Sequence, residues 1–158
     1  MTDASAKSSS TRHVQTQPFQ PHGQVDFWLE EDNLLQYVAT GPFNRELVDC
    51  LAIAQQEFFQ SLQPRSPWAS ICTIRESAVG GPESLARYAQ LMCTPKPAGF
   101  TPVATAFVIA PDVEGARLMA PHFTKIYADI PRQFQIFDTM EQARAWAQTM
   151  IADADAPR

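Results

Sequence analysis

The stretch Val103-Ala104-Thr105-Ala106-Phe107-Val108-Ile109-Ala110 limits the folds open to this chain more than any other. It carries no charge, no Gly and no Pro, and Pro102 and Pro111 bracket it. Both of its pleat faces are mostly apolar. Val103, Thr105, Phe107 and Ile109 fall on one; Ala104, Ala106, Val108 and Ala110 fall on the other. A strand with one wet face would alternate in polarity. A short run apolar on both faces is a strand covered above and below, or a piece of buried helix, and the length and flanking prolines select the strand. Both faces then need cover. If helices lie on one side only, an N-terminal hairpin, a dimer mate or a ligand must cover the other, so a homodimer is among the arrangements left open.

The chain has 158 residues, enough for one domain with its own core. Its net charge is −5; Lys7 and Arg12 against Asp3 leave the first 22 residues at +1 and the body at −6. An acidic body disfavours a nucleic-acid groove, which needs clustered Lys and Arg to replace counterions. Cys50, Cys72 and Cys93 are odd in number and far apart in sequence, so neither a disulfide framework nor a zinc site is expected. They read as reduced thiols of a cytoplasmic protein. The start lacks a secretory apolar segment, and no apolar run approaches the roughly 20 residues of a membrane span.

Residues 1–23 are rich in Ser, Thr and Gln and poor in apolar groups, which predicts a disordered tail. A single domain is expected over 24–152, with fraying from 153 to 158. Within it, residues 25–30 alternate and read as a strand, 31–33 as a turn, and 34–40 as the hairpin partner. Asn44 suits a helix N-cap, with Phe43 and Val48 as a hydrophobic staple, for a helix to about residue 62. Its inner stripe is Leu47, Leu51, Ala54, Phe58 and Leu62. A third strand covers 68–74. Pro82 suits the first position of a helix whose stripe is Leu85, Tyr88, Ala89 and Met92. The opening strand comes fourth. Asp112 is the expected cap of a helix from 113 to 128, which Pro121 should kink or split. Residues 132–137 form the fifth strand, and Asp138 starts a last helix with Glu141 as its capping-box partner. Strands alternating with helices predict an α/β domain with a mixed, mainly parallel five-stranded sheet, four helices and an N-terminal β-hairpin.

The ending Phe134-Gln135-Ile136-Phe137-Asp138, followed by Ala143 and Trp146, resembles that of the SpoIIAA-like (STAS-like) family. There a strand ending in Phe-Asp leads into an acidic capping turn and an Ala-x-x-Trp helix. The order of elements over residues 25–151 is similar as well. The resemblance implies a small non-enzymatic domain of successive βα units. Some relatives antagonise anti-sigma factors and are switched by serine phosphorylation; many have no known role. The switch lies after the third strand in an Asp-Ser-Ser-Gly-like sequence. Here that place reads Glu76-Ser77-Ala78-Val79-Gly80-Gly81, without the tandem Ser or the directly following Gly.

Candidate binding residues follow from these places. Arg75, Glu76 and Ser77, with Gly80 and Gly81 before a helix, would make an anion- or phosphorylation-regulated loop, since backbone N–H groups at a helix start attract anions. A turn into a Pro-started helix accounts for the glycines equally, and the sequence matches neither a P-loop nor a dinucleotide fingerprint. Trp28 shares a strand face with Asp26 and Glu30, so it is a candidate for a partner or ligand surface unless the tail or the hairpin covers it. His122 has no carboxylate or second His near it in sequence, and no nucleophile elbow is present. No catalytic residue, metal ligand or cofactor is assigned. The expected role is binding of a protein partner or a small apolar ligand.

Overall fold

The computed structural model describes residues 8–14 and 20–156. Its strands are β1 (Ser8–Ser10), β2 (Gln24–Leu29), β3 (Leu34–Thr40), β4 (Ala69–Arg75), β5 (Ala104–Ile109) and β6 (Gln133–Phe137). Its helices are α1 (Arg45–Ser61), α2 (Pro82–Cys93), α3 (Ala116–Ala128) and α4 (Met140–Asp155). The chain is α/β, with one mixed sheet in the order β1-β2-β3-β4-β5-β6. The first three strands are antiparallel neighbours, and β3 to β6 run parallel.

The sheet has six strands rather than five. The extra strand, β1, lies in the segment expected to be disordered, and Ser8–Ser10 pair with Asp26–Trp28 at the edge of β2. Main-chain pairing needs no apolar side chains, so a Ser-Ser-Ser strand leaves no hydrophobic signal. Thr11 follows in a single 3-10 turn. It is buried, and its Oγ1 accepts a hydrogen bond from the Val25 N–H at 2.9 Å. The rest of the expected tail, 1–7 and 15–19, lies outside the described residues, as do 157–158 at the end expected to fray; α4 itself continues to Asp155.

All six residues of β5 are buried. Its Thr105, Phe107 and Ile109 face the side covered by α1, α2 and α3; Ala104, Ala106 and Val108 face α4. Helices thus cover both faces, unequally. The three-helix side is aromatic: Phe27 packs against Phe58 at 5.1 Å between centroids, and Phe107 meets Phe123 at 5.2 Å and Phe134 at 5.0 Å. The α4 side is built from small residues, with Ala143 and Ala147 against Ala104 and Ala106, all fully buried. Phe137 and Trp146 close that seam, 5.5 Å apart. Arg144 ties α4 to the hairpin tip through Glu30 at 2.9 Å and Asp32 at 3.3 Å, so the acidic turn is not merely solvated.

Two helix starts differ from expectation. Asp112 does not cap α3. Glu114 instead bridges to the loop after β4: its N–H donates to the Glu76 carbonyl at 3.1 Å and its carbonyl accepts from Ala78 N–H at 2.8 Å. Those backbone groups are unavailable to a helix, so α3 begins at Ala116 after Gly115, at φ +73. Pro121 lies within α3 without dividing it. Thr139, not Asp138, caps α4, its hydroxyl accepting from Gln142 N–H at 3.3 Å. Asn44 caps α1 as its spacing requires, accepting from Leu47 N–H at 3.0 Å.

Candidate functional site

Between α1, α2 and the sheet the packing is incomplete. A cavity of about 130 Å³ runs along the strands, from Gly80 and Ser84 near the carboxyl ends of β3 and β4 to Thr105, Lys96 and Arg132 near the amino ends of β4 and β5. Large rings shape it because they cannot interdigitate without leaving gaps: Phe59, Trp68 and Phe100 meet in a cluster, with Phe59–Phe100 at 5.4 Å. The polar groups on the wall are few and mostly paired. Gln55 Nε2 donates to Tyr37 Oη at 2.7 Å, and the Tyr88 and Tyr127 hydroxyls lie 2.6 Å apart. Ser70 and Thr105, adjacent across β4 and β5, share a 2.8 Å hydrogen bond.

The titratable groups on the wall are held uncharged or are positive. Burial pushes the Cys72 thiol up to about 12, so it is not a nucleophile at neutral pH. Burial likewise raises the phenols of Tyr37, Tyr88 and Tyr127, the last to about 12. Lys96 caps α2, donating to the Leu91 and Thr94 carbonyls at 3.2 and 3.3 Å. Burial, followed by the nearby Arg132 charge, lowers its amine below the ordinary lysine value. Among the described residues lining the cavity none is Asp, Glu or His.

No family model, curated protein or solved structure matches the chain. No helix among the described residues is long and apolar enough to cross a membrane, and no group of three metal-ligating side chains occurs among them.

The residues singled out in the sequence fall in three places. Arg75 and Glu76 are exposed at the end of β4, with Glu76 at φ +64. Ser77 is turned inward and only 4% exposed. Its hydroxyl donates to Glu114 Oε1 at 2.8 Å and accepts from Val79 N–H at 3.1 Å. Gly41 N–H, Phe43 N–H and Ala78 N–H complete a knot of backbone bonds joining the loops after β3, β4 and β5. Gly80 reaches the cavity wall, where a Cβ would come 2.7 Å from Ser84 Oγ; Gly81 is exposed and precedes α2. Trp28 is half-buried on β2, beside Ser8 of β1 and Asp26, and does not reach the cavity. His122 is exposed on α3.

Sequence reasoning missed Lys96 and Arg132. One signal was available: Ser70 and Thr105 are hydroxyls at buried positions of the central strands. Polar atoms in a two-sided buried strand need partners, and Arg132 Nη1 bonds Thr105 Oγ1 at 3.2 Å.

Proposed function

We propose that this chain is a SpoIIAA-like binding domain whose role is to hold a small apolar ligand between α1, α2 and the sheet. The observation that carries the reading is the aromatic-walled cavity of about 130 Å³ with a few convergent polar groups, the usual form of a small-molecule site. A core of this size ordinarily closes its gaps, since each lost contact costs dispersion energy. A retained void is better explained by an occupant than by packing. Of the two expected partners, a protein or an apolar ligand, the aromatic-walled cavity favours the ligand. The SpoIIAA-like reading is supported by the sequential strand order and by the Phe137–Trp146 contact, which gives the family-like ending a packing role.

Ser77 does not favour the phosphorylation reading. Its hydroxyl would have to leave Glu114 before a kinase could reach it, and a phosphate there would face that carboxylate.

Native mass spectrometry of the purified chain is the test. Added mass under native conditions that is lost on denaturation, and absent from a Cys72→Phe variant that fills the cavity, is the expected result. An unliganded mass, together with no shift of cavity resonances in an NMR screen of small aromatics, would count against the reading.

A further inference from the structure

The charges at one end of the cavity are of one sign. Lys96 and Arg132 are both half-buried there, and no acid faces them among the described lining residues. The fold pairs its other buried-side arginines: Arg87 meets Asp49 at 2.6 Å and Arg144 meets Glu30 and Asp32. Among the described residues Arg132 has no such partner. Its Nη1 donates to Thr105 Oγ1 and, at 3.9 Å, to Met92 Sδ; its Cζ lies 5.8 Å from the Tyr127 ring centroid. Among the described residues its Nε has no hydrogen-bond partner. The guanidinium borders the cavity with no carboxylate among the described lining residues, so its charge is open to an acceptor from outside the chain. The Arg132 backbone is pinned by its N–H to the Ile130 carbonyl at 2.9 Å, which fixes where the side chain starts.

On top of the small-ligand reading, we infer that Arg132 anchors the head group of that ligand, and that the ligand is a small monocarboxylate with a flat apolar body of about one ring. The planar carboxylate accepts a charge-assisted hydrogen bond from the guanidinium where it borders the cavity. Lys96 supplies a second positive charge, and an anion between the two cations removes their mutual repulsion. The body lies among Tyr88, Phe107 and Phe59. Volume bounds its size: an apolar cavity of roughly 150 Å³ takes benzene and this one is about 130 Å³, so the apolar body is at most one ring and the carboxylate lies at the cavity end beside Arg132 and Lys96.

The test is calorimetric titration of the full chain with phenylacetate and with its neutral isostere phenylacetamide, with benzene followed by NMR as a probe of the cavity alone. The acid should bind about tenfold to a hundredfold more tightly than the amide. Arg132→Met should abolish that preference by weakening the acid far more than the amide, and benzene should still bind. Lys96→Met should reduce the preference in part. If Arg132→Met does not fold, the acid-to-amide ratio on the unaltered chain and on Lys96→Met still decides. Equal affinities for acid and amide overturn the head-group assignment and leave the cavity reading standing. Benzene binding without acid binding does the same. Failure of all three probes to bind removes both.

Discussion

Asn44 illustrates how much one side chain can organise. Its Oδ1 accepts from Leu47 N–H at the start of α1 and from His22 N–H at 2.8 Å, while its Nδ2 donates to the Gln20 carbonyl at 3.0 Å. It therefore starts a helix and fastens the chain entering β2. Asn44→Ala should lower stability by about 1–2 kcal/mol, read as the urea midpoint, and Asn44→Asp, which keeps the cap but loses the donor to Gln20, should recover part of the loss. Arg144→Ala should cost under about 1 kcal/mol in the same measurement, because its pairs with Glu30 and Asp32 are half-exposed and screened. The capping role of Asn44 was legible because a cap acts within four residues of sequence. Arg132 was not: a lone Arg before a strand reads as solvated until the fold places Thr105, Met92 and Tyr127 around it.

Among the elements, β5 and α4 carry the most constrained contact. Ala143 and Ala147 let the helix lie close on Ala104 and Ala106, and no gap there accommodates a larger side chain. Ala143→Leu should cost about 1–3 kcal/mol by overpacking and should change Trp146 fluorescence as α4 lifts from the Phe137 seam. Unchanged stability and emission would show that α4 sits loosely. The two apolar faces of β5 were readable from eight residues, as was the need to cover both. That three helices would take one side and a single Ala-rich helix the other was not, because strand order, not periodicity, decides which side each crossover takes. β1 was illegible for a related reason: three serines add a strand only where an open edge of β2 meets them.

For the whole molecule, the cavity wall sets an alkaline limit. Burial raises the Cys72 thiol from 9.0 to about 12, Tyr127 from 10.0 to about 12, and Tyr37 and Tyr88 in the same direction. Above the unfolded value of each group the unfolded chain loses a proton that the folded chain keeps. Each contribution to stability is thus fully present below that value and is lost as pH rises toward the folded one. The urea midpoint should fall from about pH 9 upward, first through Cys72 and then through the tyrosines, each group adding at most about 1.4 kcal/mol per pH unit. Lys96 acts in the opposite sense just below 10.5, where the unfolded chain holds the proton more firmly, and partly offsets the fall. Tyr37→Phe should flatten the slope above pH 10. A midpoint that stays constant from pH 9 to pH 11 would contradict this account of the wall.

Local physics in the sequence alone determined the α/β class, the hairpin, the Asn44 cap, the Pro82 helix start and the two-sided burial of the strand at residues 104–109. Each depends on periodicity, a cap or a turn within a few residues. Tertiary structure decided the sixth strand, the displaced start of α3, the inward turn of Ser77 and the cavity. These depend on groups distant in sequence: Glu114 reaches the loop after β4, and Arg132 reaches Thr105 and lies near Lys96, across 27 and 36 positions. Close packing of large rings against a sheet leaves its gaps where three dimensions put them, and no one-dimensional pattern records a gap.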